Sequence, residues 1–166
     1  MTLGRSSSGA IKIKTEDGLR AVNCACCQGF QMNVNYSWAG TGQRDLDTST
    51  RAFGGSIGYF CADYSPYLEW ITGDDTSENG SEQVDIRVDD ARRDGLWSSS
   101  YNILAHAGWF ERAGGSGPAQ LIVTYKGSTK SKSISPGSQT GCASTQVGTI
   151  TVYSTRQPDG SFFDIL

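Results

Sequence analysis

Residues 30–38, Phe30-Gln31-Met32-Asn33-Val34-Asn35-Tyr36-Ser37-Trp38, alternate without a break between large apolar and polar side chains. Successive side chains of a strand project to opposite sides. This period of two therefore places Phe30, Met32, Val34, Tyr36 and Trp38 on one face and the polar residues on the other. A chain carrying such a segment builds a sheet with one dry face and one wet face, the habit of antiparallel β structure. Val84-Asp85-Ile86-Arg87-Val88-Asp89 repeats the pattern. Further strands are predicted over residues 10–14, 56–61, 67–71, 101–110, 119–125 and 147–153. The segments 56–61 and 67–71 are read as one pair, and 101–110 with 119–125 as a hairpin turning at Gly114–Pro118. Residues 90–97 read as one helical turn or an irregular crossing.

Nothing in the chain has the periodicity of an amphipathic helix, and 21 glycines punctuate it. Many short strands joined by turns point to an all-β fold. The expectation is an antiparallel β-sandwich of about seven to nine strands. Residues 30–126 form its core, residues 1–29 an extended N-terminal arm, and residues 127–166 a C-terminal hairpin and tail. The tail ends in Phe162-Phe163-Asp164-Ile165-Leu166. Apolar groups of that size are costly in water, so the tail is expected to dock on its own sandwich or on a neighbour.

A net charge of −3 argues against a nucleic-acid surface, which needs a basic face. No apolar run is long enough to span a bilayer. Met1 to Ser8 lacks the apolar core of a secretory signal, so synthesis in the cytoplasm without standard secretion is expected.

Carboxylates concentrate in two short stretches, Asp45-Leu46-Asp47 and Gly73-Asp74-Asp75-Thr76-Ser77-Glu78-Asn79-Gly80-Ser81-Glu82. Crowded carboxylates repel and resist losing water, so they either splay into solvent or share a cation. Strand alternation points Asp45 and Asp47 the same way. Calcium takes six to eight oxygens in flexible geometry, and Asp45, Asp47, Asp74, Asp75 and Glu82 can supply most of them. The competing reading is a solvated turn, because Asp, Asn, Ser and Gly all suit turns.

Cys24, Cys26 and Cys27 stand together, while Cys61 and Cys142 stand alone. Their spacing fits no standard zinc pattern, so reduced or disulfide-paired structural thiols are favoured over a zinc site, and the odd count leaves at least one thiol free or paired to another chain. The single histidine, His106, lies mid-strand between two alanines and is read as structural. With no nucleophile, base and orienting group in one pattern, the chain is not read as an enzyme. Tyr64, Tyr67, Trp70, Trp97 and Trp109 are candidate ligand or interface aromatics, since such rings suit sugar stacking and protein contacts alike.

From Asp45-Leu46-Asp47 onward the sequence resembles the YfaP-like bacterial β-sandwich family with its Asp-Leu-Asp signature. The likeness continues through Gly54-Gly55, Gly73-Asp74-Asp75-Thr76-Ser77, Ser81-Glu82-Gln83-Val84 and the segment from Tyr101 to Tyr125, covering about residues 30–126. It departs at Thr48-Ser49, where the family often carries an aliphatic residue and a histidine. The resemblance implies a small sandwich module suited to hold calcium, with Asp45, Asp47, Asp74, Asp75 and Glu82 at its acidic positions. The function expected from these readings is non-enzymatic. It is a structural subunit of a large assembly, such as a phage virion decoration, tail or fibre protein or an extracellular filament, joined to copies of itself or other assembly proteins through its terminal extensions. The alternative is a calcium-dependent carbohydrate-binding or adhesion module with glycans as partners.

Overall fold

The computed structural model describes residues 3–5, 11–15, 18–22, 31–39, 45–59, 63–77, 79–110, 118–138 and 145–166. The chain divides into two compact units, Met1–Phe30 and Gln31–Leu166. In the first, β1 (Leu3–Arg5), β2 (Ile11–Thr15) and β3 (Gly18–Val22) pair as an antiparallel meander. The expected extended arm is therefore a small sheet, closed by its own backbone hydrogen bonds.

The second unit is the expected antiparallel sandwich, with more strands than the sequence suggested. One sheet has the order β11-β10-β4-β8-β7, built from β4 (Met32–Trp38), β7 (Leu68–Trp70), β8 (Ser81–Ile86), β10 (Ala119–Tyr125) and β11 (Ser128–Ile134). The other has the order β14-β13-β9-β5-β6, built from β5 (Leu46–Ala52), β6 (Gly55–Gly58), β9 (Ser100–Trp109), β13 (Thr145–Tyr153) and β14 (Phe163–Ile165). A two-residue strand, β12 (Gly137–Ser138), runs parallel to the end of β9. A short helix, α1 (Val88–Arg93), follows β8 and buries Val88 and Ala91; the Trp97 indole N–H donates to the Val88 carbonyl at 3.0 Å.

Period-two burial makes the core. Met32, Val34, Tyr36 and Trp38 on β4 and Leu121 and Val123 on β10 are buried. Leu46, Ile103, Ala105, Ala107, Ile150, Val152 and Phe163 from the second sheet are buried with them in one cluster.

Two expected pairings fail. The segments 101–110 and 119–125 are not a hairpin: β9 pairs with β5 and β13, whereas β10 pairs with β4 and β11 in the other sheet. Likewise β6 and β7 lie in different sheets. Each segment has the alternation of a half-buried strand, and alternation does not say which sheet a strand joins. The hairpin that does form is β10–β11. It turns at Lys126-Gly127, both with positive φ (49° and 78°), as a two-residue turn matched to strand twist requires.

The described residues beyond Lys126, 127–138 and 145–166, also belong to the sandwich, correcting the boundary expected at residue 126. β13 lies inside its sheet between β9 and β14, with Ile150 and Val152 fully buried. The tail docks on its own body. Phe163 is fully buried, edge-on to Tyr125 at 6.4 Å, and Leu166 exchanges both backbone hydrogen bonds with Thr149 at 2.9 Å. Lys130 on the edge strand β11 reaches Asp164 at 2.5 Å and Asp159 at 2.6 Å.

Truncating a buried phenylalanine costs about 3–5 kcal/mol, whereas Leu166 is 70% exposed. Urea unfolding should therefore register Phe163→Ala as a loss of about 3 kcal/mol or more, and Leu166→Ala as less than about 0.5 kcal/mol. Equal, small effects would mean the tail is not packed on this sandwich.

Candidate metal centre

Asp45 and Asp47 lie at the leading end of β5, with Leu46 between them in the core at 0% exposure. The neighbouring β6 reaches only Gly58, opposite Ser49, so this end of β5 runs beyond it. Gly58 is confined by that junction: a Cβ there would sit 2.0 Å from the Thr48 carbonyl oxygen, and its φ is +139°. No other residue lets the chain leave β6 so close to β5, where the Tyr59 N–H donates to Thr48 O at 3.1 Å.

Asp74 arrives from the other sheet, on the loop between β7 and β8. That loop is shaped by its own polar groups. The Asp75 carboxylate accepts from the Ser77 and Ser81 N–H groups, each at 3.0 Å. The Trp38 indole N–H donates to the Ser77 carbonyl at 2.9 Å, and the backbone N–H of Trp38 donates to Gly80 O at 3.1 Å. Gly80 lies against the indole, where a Cβ would approach to 2.2 Å. The loop is thus braced by the last residue of β4.

With both segments in place, carboxylate oxygens of Asp45, Asp47 and Asp74 lie within 4.8 Å of one another. Asp47 is 3% exposed, and neither of its oxygens has a hydrogen-bond partner; Asp45 Oδ1 is also buried without one. Among the described residues no lysine or arginine pairs with any of the three; the ion pairs form elsewhere, at Asp89, Asp90, Asp94, Asp159 and Asp164. Burial, then the charges of Asp45 and Asp74, push the Asp47 carboxyl up to about 7. Asp45 and Asp74 are raised as well, by burial first and by neighbouring carboxylates second. Such a group is unfavourable as three bare anions and becomes favourable once a cation is shared. The donors are oxygens only, the set preferred by hard divalent ions such as calcium, and they fit that ion's flexible coordination.

Two of the five residues expected as ligands do other work. Asp75 is occupied by its own loop. Burial acts to raise its carboxyl, but the hydrogen bonds from Ser77 and Ser81 outweigh this and hold it below the usual value. Glu82 points between the sheets at 0% exposure, where it accepts the Thr48 hydroxyl and, at 3.4 Å, the Asp75 N–H. Burial pushes it up to about 8 against the opposing pull of those two bonds. Period two places Glu82 on the dry face with Val84 and Ile86, and a carboxylate there was misread as part of the acidic turn. Sequence reasoning missed Thr48, although alternation directs it inward toward Glu82. Tyr59, read from the sequence only as one of several surplus aromatics, lies within the field of the three acids: its hydroxyl is raised by desolvation first and then by Asp74, Asp47 and Asp45.

The other candidates separate from the site. Trp97 and Trp109 are core residues, 7% and 3% exposed, and not ligand platforms. Tyr67 is half-buried, edge-on to Phe53 at 5.7 Å, with its hydroxyl donating to Asp94 at 2.8 Å. Trp70 is half-buried in β7, and Tyr64 alone is widely exposed, at 89%. His106 is buried opposite Ser49, and burial, then the charge of Arg51, holds its imidazole below the usual value. Cys24, Cys26, Cys27, Cys61 and Cys142 lie outside the described residues. No family model matches the chain, and no curated protein or solved structure matches it either.

The two carboxyls raised furthest, those of Asp47 and Glu82, set a pH dependence for the cation-free protein. Their ordinary values are 3.8 and 4.5, and in the folded chain they stand at about 7 and 8. Between those limits the folded state binds more protons than the unfolded state, so stability falls as pH rises. In chelator, the melting temperature should drop by at least about 3 °C between pH 5 and pH 8.5, the shift expected for about 1 kcal/mol in a chain of this size. Asp47→Asn should flatten that slope, and a slope of opposite sign would refute the assignment.

Proposed function

We propose that this chain is a non-enzymatic structural subunit whose sandwich is closed at one pole by a calcium-type cation held by Asp45, Asp47 and Asp74. The observation that carries this reading is Asp47, a nearly fully buried carboxylate with both oxygens unpartnered, aimed at two other acids. Leaving a buried charge without a partner is strongly unfavourable, and a cation relieves all three groups at once. Because Asp45 and Asp47 belong to one sheet and Asp74 to a loop of the other, the ion joins the two layers where no strand pairing does. Its role is cohesion.

Assembly is assigned to the N-terminal unit. The C-terminal tail is used within its own sandwich, through β14 and Phe163, which removes it from the inventory of free extensions. The first unit spans thirty residues, and its described residues form three short strands. Chains that short seldom bury enough surface to stand alone, and the outer strands of this unit's sheet, β1 and β3, have edges to which another copy or another assembly protein can pair. A phage virion or an extracellular filament is the setting such a subunit fits. The carbohydrate-binding alternative loses support with Trp97 and Trp109 in the core.

Two measurements test the reading. Calcium at a hundredfold over its Kd should raise stability by about 2.7 kcal/mol, a gain of about 5–10 °C in melting temperature, and Asp47→Asn should abolish the gain. No shift in the unmodified chain removes the cation. For assembly, the native mass of the full chain should be a multiple of the monomer, and that of residues 31–166 a monomer. Identical states for both would end the assignment to the N-terminal unit.

A further inference from the structure

We propose that Glu82 is the positioning residue that preassembles the cation site, holding the two ligand-bearing segments at a fixed separation without itself touching the ion. The inference rests on the reading of Asp45, Asp47 and Asp74 as a cation site. Those ligands arrive on segments from different sheets, and a site split in this way binds weakly unless something sets the distance between its halves. Glu82 does so from below. One carboxylate oxygen accepts the hydroxyl of Thr48, the residue after Asp47; the other accepts the N–H of Asp75, the residue after Asp74, at 3.4 Å. A single side chain is thus bonded to the immediate neighbour of a ligand on each side of the site.

The alternatives for this residue are weaker. Glu82 is not among the acids whose oxygens converge, so it is not a fourth ligand. Nor is it explained by stability. It is fully buried on β8, directly opposite Tyr36 of β4 and in line with Val84 and Ile86, where an apolar residue suits the core. Replacing a buried charged group by an apolar one of similar volume is often neutral or stabilising. A carboxylate at this position is accounted for by the two donors that it joins. Partners behind metal ligands typically govern affinity by about 10–100-fold.

Calcium titration calorimetry on the full chain, with melting curves in chelator, separates the possibilities. Glu82→Leu removes both bonds and should weaken calcium binding by about tenfold or more, while the melting temperature in chelator stays level or rises. Glu82→Gln keeps the shape and both bonds, because the Thr48 hydroxyl can turn to accept from the amide; its affinity should stay within about threefold of the unmodified chain, well inside that same range for outer partners. If Glu82→Gln loses as much affinity as Glu82→Leu, the residue acts through its charge and the proposal falls. It falls equally if neither variant changes the affinity, or if Glu82→Leu lowers only the melting temperature. Should Glu82→Leu not fold, Thr48→Val opens the same tie from β5, and its affinity is read by the same rule. Failure of the unmodified chain to bind calcium instead overturns the cation site itself, a different result from binding that ignores Glu82.

Discussion

The sandwich depends on burying one apolar face of each sheet against the other. Every second residue of β4, β8 and β10 is enclosed, and Ile103, Ala105, Ala107 and Trp109 of β9 and Ile150 and Val152 of β13 are buried in the same core. Tyr36 and Tyr125 are among the largest side chains it buries almost completely. At about 25 cal/mol per Å² of apolar surface, this interface is the main source of stability, and each polar group inside it must be accounted for.

Those polar groups cluster on the side of β5. The Tyr36 hydroxyl meets Thr50 Oγ1 at 2.9 Å and the Ser49 carbonyl at 3.3 Å, and Thr48 meets Glu82. Each bond runs from the first sheet to the second. Hydrogen bonds between layers fix the register of one sheet over the other, which apolar contact alone leaves loose. The result is a defined placement of β5 against β8, and the acidic loop before β8 inherits it. The candidate cation site is therefore a consequence of sheet packing, not a loop that happens to be acidic.

Elsewhere, strain and charge are settled locally. Phe53 occupies a left-handed conformation (φ 51°) in the β5–β6 turn, where glycine or asparagine is usual. Its ring stacks on Tyr101 at 4.5 Å, and its N–H donates to the Tyr101 hydroxyl at 2.8 Å, which offsets the backbone cost. On β11, an edge strand, Ser and Lys alternate and Lys130 is held by Asp159 and Asp164. A charged edge of this kind discourages pairing with another chain.

Most strands and their buried faces were legible in the sequence because a period of two follows from backbone geometry alone: β4, β9, β10 and β13 are close to where they were expected, whereas the alternation at Val84–Asp89 ran past the end of β8 at Ile86 into the helix that starts at Val88. So was the meeting of Asp45 and Asp47 on one side of a strand. Which sheet each strand joins was not legible, since β9 and β10 present the same pattern to either partner, and only the packing of two layers separates them. The same limit applied to the acids. Spacing could not tell Asp74, which converges with Asp45 and Asp47, from Asp75, held in its own loop, or from Glu82, turned between the sheets. Local chemistry determined that the chain would be an antiparallel β protein with crowded carboxylates. Tertiary structure decided which of them face one another, because that depends on contacts between residues some thirty positions apart, Thr48 and Glu82 among them.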